Sequence, residues 1–113
     1  MDNNECNGCI YDDKNSDLCE VKNCVYQELA LEDIKTERKR QDAKWGEQNH
    51  HPLMWLSIIG EEYGEMCKAF NEYSFTQDHK HIEEMIKEAI QVAACCVAMI
   101  ECLDRQAKKG LAP

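Results

Sequence analysis

The sequence contains no apolar run long enough to cross a membrane, and its N-terminus, Met-Asp-Asn-Asn-Glu, lacks the features of a signal peptide. Strand patterns, internal repeats and low-complexity tracts are also missing. These absences predict a cytosolic protein with reduced thiols, no membrane partner and an all-α fold.

Positive charge is scarce, with 13 Lys and Arg against 22 Asp and Glu and a formal net charge of −9. A surface for duplex nucleic acid needs clustered cations facing the phosphates, so this kind of partner is not expected. A small phosphorylated substrate remains compatible, because divalent cations can lie between its oxygens and acidic side chains.

The 113 residues have room for one modest core and a small appendage. Residues 1–24 are rich in Asn, Asp and Cys and predict a loop-rich Cys-rich module, whereas residues 25–113 predict a helical domain. Pro52 suits the first turn of a helix. Helices are predicted from about Val25 to Gly46, from Leu53 to Tyr73, and from Asp78 to about Gly110.

The last predicted helix is apolar on all sides in its second half. From Ala89 to Ile100 every residue except Gln91 is apolar or Cys. Three helices in so short a chain cannot cover such a segment, which predicts burial against a second subunit. We therefore expect a helical hairpin-type subunit that forms a four-helix-bundle-like homodimer, or a homotetramer.

One carboxylate of the middle helix falls on its apolar face. At about 100° per residue, Glu62 lies inside the apolar arc, and Glu61 and Glu65 lie on its edge. Burial of a carboxylate is costly without a compensating partner, which indicates a site. The arc consists of Trp55, Ile58, Ile59, Tyr63, Met66 and Phe70.

The third helix repeats the three-residue step with Glu88 and Gln91. If the two helices pack antiparallel, these side chains meet Glu61, Glu62 and Glu65. Such a cluster is unfavourable as bare anions, and Mg²⁺ or Mn²⁺ matches its all-oxygen set of ligands. A Glu-Glu-x-x-Glu string also arises by chance in an acidic chain; the apolar placement of Glu62 favours the site.

The string Glu61-Glu62-x-x-Glu65, a gap of 22 residues and then Glu88-x-x-Gln91 resembles the signature of the all-α nucleoside triphosphate pyrophosphohydrolases, which include the MazG proteins. The resemblance covers about residues 30 to 105 and is greatest for the short MazG-like proteins of phages and bacteria. Upstream it rests on Arg38-x-x-Gln41-x-x-x-Trp45-Gly46-x-Gln48-x-His50 and on Trp55-Leu56.

The resemblance implies Mg²⁺-dependent hydrolysis of nucleoside triphosphates to the monophosphate and pyrophosphate. It implies that Glu62, Glu65 and Glu88 hold Mg²⁺, with Glu61 as a further ligand or as the group that orients water. The second motif of the family usually ends in Asp, where this chain has Gln91. An amide oxygen still binds a metal ion but adds no charge.

Five further residues are candidates for substrate contacts. Trp45 suits stacking on a nucleobase, although packing at a helix end explains it equally well. The cations have simple solvation as their alternative, and Lys68 is the best placed because it follows Glu65 by one helical turn. The candidates are Arg38, Lys44, Trp45, Lys68 and Asn71.

Four cysteines lie within 19 residues of the N-terminal segment: Cys6, Cys9, Cys19 and Cys24. Their spacing favours a structural Zn²⁺ site that would stabilise the module on binding. An iron–sulfur cluster, a redox pair and unliganded thiols remain as alternatives.

Two other functions are compatible with the sequence. The chain could be a zinc-containing interaction or nucleotide-sensing module without catalysis, in which Gln91 marks lost activity. It could also be a purely structural helical oligomer, although that reading leaves Glu62 unexplained.

Overall fold

The computed structural model describes the backbone of residues 16–110 and the side chains of residues 25–110. Three helices account for nearly all of this stretch, and it contains no strand, which confirms the all-α prediction. The helices are α1 (Ser16–Trp45), α2 (Pro52–Thr76) and α3 (Lys80–Lys108).

The chain divides into two units, Met1–Asp33 and Ile34–Pro113. In the first unit, every side chain from residue 25 to residue 33 is exposed. The second unit contains the end of α1 and the pair α2 and α3. The candidate sites below all lie in this second unit.

Helix α1 begins at Ser16, well before the predicted start near Val25. The prediction of a loop for residues 16–24 was therefore wrong. These residues include neither Gly nor Pro, so nothing in their covalent structure interrupts a helix. These residues are mostly polar and form no apolar stripe, so their sequence does not show the periodic pattern of an amphipathic helix.

The end of α1 and the start of α2 follow the predicted signals. Gly46 has a φ of 74°, and its N–H donates to the carbonyl oxygen of Asp42 at 2.8 Å, which ends α1 at Trp45. Pro52 occupies the first turn of α2. The ring of His51 caps this helix by accepting a hydrogen bond from the Leu53 N–H at 3.2 Å.

A three-residue connection joins α2 to α3. Gln77 adopts the left-handed conformation with a φ of 58°, and its N–H donates to the carbonyl oxygen of Tyr73 at 2.7 Å. Asp78 was predicted as the N-cap, but the structure has His79 at that position. The Asp78 carboxylate nevertheless accepts a hydrogen bond from the Lys80 N–H at 3.1 Å.

Helices α2 and α3 form an antiparallel hairpin. Trp55 near the start of α2 packs with Ala98 and Cys102 late in α3, while Glu72 near the end of α2 contacts His81 early in α3. Both helices rise equally per residue, so residues equally distant along the chain from the turn lie level with each other. This register determines which polar side chains meet.

The core of the hairpin is small. Trp55 is only 1% exposed and Cys102 is fully buried, and Ile58 and Met99 pack against them. The ring of His50 contacts Trp55 edge to face, with 4.9 Å between the ring centroids. The subunit thus buries the N-terminal end of the apolar arc, where Trp55 lies.

Two members of the predicted arc do not belong to this core. Tyr63 is 55% exposed and Phe70 is 54% exposed, and on α3 Ile100 is 60% exposed. Two packed helices cover only one side of each other, so the opposite side of an apolar helix stays open. Across the described helices, no stretch combines the length and apolarity that a membrane crossing needs.

Candidate carboxylate site

Glu62 is partly buried and lies among other carboxylates. Its pKa is raised, first because burial removes water from the charged form and then because of the negative charges of Glu88, Glu61, Glu65 and Glu37. The structure therefore brings together the carboxylates of both sequence motifs, with one addition from α1. Glu37, Glu61, Glu62, Glu65, Glu88 and Gln91 are called the carboxylate site below.

The hairpin register explains how two sequence motifs meet. Glu65 and Glu88 are equally distant from the turn between Thr76 and Gln77, and so are Glu62 and Gln91. Each pair is therefore level across the antiparallel helices. Glu65 and Glu88 line one cavity of about 260 Å³. The other residues that line it are Lys68, Ala69, Glu72, Glu84 and Lys87.

Glu37 is a member of the site that the sequence analysis missed. Its carboxylate accepts hydrogen bonds from Arg40 at 2.9 and 2.7 Å. Arg40 is the main reason that the pKa of Glu37 is lowered, and hydrogen bonds from the amides of Gln91 and Gln41 contribute in the same direction. Gln91 therefore faces a carboxylate of a different helix.

Cys95 and Gln41 form the buried side of the site. Gln41 is 4% exposed, and its amide nitrogen lies 4.0 Å from the Cys95 sulfur. Burial, followed by the charge of Glu62, raises the pKa of Cys95 to about 11. The thiol is therefore protonated at neutral pH and does not act as a metal ligand or a nucleophile in this state.

The donor set of the carboxylate site suits a hard divalent cation. Its carboxylates and amide offer oxygen ligands, and burial, followed by the charges of the neighbouring carboxylates, raises the pKa of Glu62 and disfavours its ionised form. In the described residues, however, no three of these carboxylates bring their oxygens within 4.8 Å of one another. Binding of one ion by three of them requires rotation of their side chains, and the exposed Glu61 and Glu65 have room for this.

Lys68 and Asn71 have different surroundings. Lys68 lines the cavity that contains the candidate metal ligands Glu65 and Glu88. Asn71 lines a second cavity, of about 520 Å³, whose walls are mostly apolar. These walls include Tyr63, Phe70 and Ile86, which are more than half exposed.

Arg38, Lys44 and Trp45 lie at the end of α1. Trp45 is 51% exposed, and the ammonium nitrogen of Lys44 lies 4.7 Å from the centre of its ring. Arg38 is already engaged, because its guanidinium contacts the carboxylates of Asp42 and Glu101. Sequence reasoning did not single out Arg40, whose guanidinium lies 6.0 Å from the Trp45 ring.

The predicted zinc ligands are not placed by the structure. Cys6 and Cys9 precede the described residues, and Cys19 and Cys24 fall in the part of α1 for which only the backbone is described. Zinc binding by these four cysteines stays a prediction. Cys67, Cys95, Cys96 and Cys102 are free thiols.

No family of known proteins, no curated protein and no solved structure matches this chain in the comparisons.

Proposed function

We propose that this protein is a Mg²⁺-dependent nucleoside triphosphate pyrophosphohydrolase, which releases a nucleoside monophosphate and pyrophosphate. The main support is one observation: Glu62 is partly buried among four other carboxylates, and this burial, followed by their charges, raises its pKa. A cluster of this kind is unfavourable alone and becomes favourable with a divalent cation and a triphosphate. The MazG-like spacing of the two motifs agrees with it.

We assign each side chain the role that the MazG-like resemblance implies. Glu62, Glu65 and Glu88 hold Mg²⁺ (or Mn²⁺), and Glu61 orients the attacking water. When bound, the cation neutralises phosphate charge and lowers the pKa of bound water. Lys68 contributes a positive charge from the wall of the cavity shared by Glu65 and Glu88.

Glu37 places a carboxylate near Gln91. The MazG-like pattern usually has Asp at the position of Gln91, and here the Gln91 amide is near enough to help lower the pKa of Glu37. The site thus has a carboxylate at this point, although a different helix supplies it and Arg40 pairs with it. We infer that Gln91 is compatible with Mg²⁺ binding because of Glu37.

The nucleobase would stack on Trp45. The guanidinium of Arg40 lies 6.0 Å from the centre of the Trp45 ring and donates a hydrogen bond to the Glu37 carboxylate at 2.7 Å. The Trp45 ring and Glu37 therefore lie on either side of one guanidinium group, which suits a nucleotide with its base on the ring and its phosphates at the carboxylate site. Lys44 and Arg40 are cations that face the Trp45 ring.

The assembly that we propose is a homodimer or a pair of homodimers. Tyr63, Phe70 and Ile86 are more than half exposed and line the apolar cavity of about 520 Å³. Large contiguous apolar surfaces of this kind are typical of subunit interfaces. A second hairpin packed on this face would complete a four-helix bundle.

Pyrophosphate release from a panel of ribo- and deoxynucleoside triphosphates, with Mg²⁺ or Mn²⁺, tests the proposal. We expect turnover of at least one nucleotide and a loss of at least about 100-fold in the Glu62→Gln variant. Glu32→Gln, which changes an exposed carboxylate in the first unit, is the matched control and should retain full activity. A folded protein with no turnover on any nucleotide would contradict the proposal.

A non-catalytic nucleotide sensor is the second candidate. It is favoured by the finding that no three described carboxylates of the site bring their oxygens as close together as 4.8 Å. Calorimetry with Mg²⁺ and nucleotides separates the two functions. Binding without release of pyrophosphate would favour the sensor.

A further inference from the structure

We propose that Glu72, His81 and Glu84 form a binding site for a divalent transition-metal ion of the zinc class. This hairpin-end site lies where α2 ends and α3 begins, and it shares no ligand with the carboxylate site. It contains the only group of three or more His, Cys, Asp or Glu ligand atoms, among the described residues, that all lie within 4.8 Å of one another.

The distances between the ligand atoms match the coordination of a small ion. His81 Nδ1 lies 3.2 Å from a Glu84 carboxylate oxygen and 3.7 Å from a Glu72 carboxylate oxygen. Bonds of about 2.0–2.2 Å in a tetrahedral arrangement place ligand atoms about 3.4 Å apart. Both distances from His81 are within a few tenths of an ångström of this spacing, and the two carboxylate oxygens lie within 4.8 Å of each other.

A bound cation would also pair with the Glu72 and Glu84 carboxylates better than the His81 ring alone does. His81 is only 9% exposed, and its Nδ1 faces both carboxylates. One Nδ1–H can donate a good hydrogen bond to one of them, and at 3.7 Å the Glu72 oxygen is too far away to accept it. A cation bound by the neutral ring attracts both carboxylates at once.

The ligand set determines the class of ion. An imidazole nitrogen with two carboxylates favours Zn²⁺ and similar transition ions, whereas Mg²⁺ prefers a set of oxygens. Three protein ligands leave a fourth position open. Glu72 and Glu84 line the cavity of about 260 Å³ that also contains Glu65 and Glu88, so this position is reached from the same cavity.

The register of the hairpin supports the geometry independently of any ligand. Glu72 and His81 are equally distant from the turn between Thr76 and Gln77, and Glu84 follows His81 by one turn of α3. The ion would thus link the two helices next to their connection. We expect it to stabilise the closed end of the hairpin.

Nitrogen-detected NMR of the histidine rings in the full chain tests this proposal. The chain has four histidines, and His81→Gln assigns the signal of interest. Zn²⁺ should shift the ring signals of His81 at Nδ1, and excess Mg²⁺ should not reverse the change. Zn²⁺ bound only by cysteine thiolates would leave the His81 ring unchanged and would overturn the proposal.

Two pairs of variants test the ligand assignment. His81→Gln and Glu84→Gln should weaken Zn²⁺ binding at this site by about 100-fold, because the first removes the imidazole ligand and the second removes the negative charge of a carboxylate ligand. The neighbouring His79→Gln and Glu83→Gln change the same residue types outside the site and should bind as the wild type does. Glu84→Gln keeps the shape of the side chain and therefore avoids a folding defect. Equal Zn²⁺ affinities of His81→Gln and His79→Gln, or of Glu84→Gln and Glu83→Gln, would refute the assignment.

Discussion

The guanidinium of Arg38 in α1 forms an ion pair with the carboxylate of Glu101 in α3. The same guanidinium donates hydrogen bonds to Gln41 at 3.1 Å and to Asp42 at 2.9 Å. The hydrogen bond to Glu101, followed by that to Asp42, raises the pKa of Arg38. Arg38 therefore connects the end of α1 to the hairpin, and Glu37, the preceding residue, reaches the carboxylate site as a result.

Replacement of Arg38 should loosen this connection. The Arg38 side chain is mostly buried whereas Glu101 is 43% exposed, so we expect Arg38→Gln to lower the free energy of unfolding by roughly 1–2 kcal/mol. Urea denaturation measures the change. Lys39→Gln removes an exposed positive charge next to it and should change stability by less than about 0.5 kcal/mol.

Removal of the Glu62 charge should stabilise the metal-free protein at neutral pH. The raised pKa of Glu62 means that its ionised form is disfavoured in the folded state, so folding loses stability as the pH rises towards that pKa. Glu62→Gln avoids this loss, and its advantage should vanish below the pKa of an unfolded Glu. Melting temperatures of the wild type and of Glu62→Gln, measured from about pH 4 to pH 8, test this prediction.

Mg²⁺ should reverse this order of stability. Added Mg²⁺ is expected to stabilise the wild type and to have little effect on Glu62→Gln, because that variant lacks the negative charge of the carboxylate. An equal effect of Mg²⁺ on both proteins would contradict the assignment of Glu62.

Gln91→Asp should make the stability of the protein depend more strongly on bound Mg²⁺. The new carboxylate would face Glu37, whose pKa the Gln91 amide now helps to lower. We expect a lower melting temperature without Mg²⁺ and a tighter apparent Mg²⁺ affinity, by about tenfold, than in the wild type. Calorimetric titration measures the affinity. Gln91→Asn, which shortens the side chain without a charge, is the control for the loss of length.

Cys95 should resist alkylation. With a pKa of about 11 in place of 9.0, the thiol has about 100-fold less thiolate at a given pH, and burial slows the reaction further. Mass spectrometry of iodoacetamide labelling at pH 8 measures the rate, with the urea-unfolded chain as the control. Because Glu62 contributes to the raised pKa, Glu62→Gln should accelerate labelling; no change would argue against their proximity.

A positive charge on the open apolar face should disrupt the proposed assembly. Tyr63→Lys and Phe70→Lys place an ammonium group beside the apolar cavity, where a second hairpin would have to desolvate it. Sedimentation velocity should show a loss of the dimer. Phe75→Lys is the control, because Phe75 is 90% exposed and lies outside that cavity. A wild type that sediments as a monomer would contradict the proposed homodimer.

Periodicity was sufficient to predict the helical hairpin and the place of Glu62. Apolar spacing on α2 positioned Glu62 beside a buried face, and Gly46 and Pro52 indicated where helices end and begin. Antiparallel packing then determined that Glu65 and Glu88 meet. Periodicity could not show that Tyr63 and Phe70 stay open, because an apolar stripe is the same whether its own subunit or another chain covers it.

Glu37 and His81 were missed for different reasons. Glu37 lies in a charged segment of α1 with no apolar stripe, so its direction depends on tertiary contacts such as that of Arg38 with Glu101. His81 resembles an ordinary residue in the charged first turns of α3. Its distance from the turn, equal to that of Glu72, was a usable signal, but only once the position of the turn was known.

The left-handed Gln77 closes a connection of three residues, and this shortness has a consequence for how the protein can change. If α3 takes up a one-residue insertion or deletion at this connection by a shift of its register, its side chains rotate by about 100° relative to α2. Glu62 and Gln91, Glu65 and Glu88, and Glu72 and His81 would then be displaced together. Insertions and deletions in this connection should therefore be tolerated far less than substitutions in the carboxylate site or in the hairpin-end site. A change of length there should preserve both sites or disrupt both together.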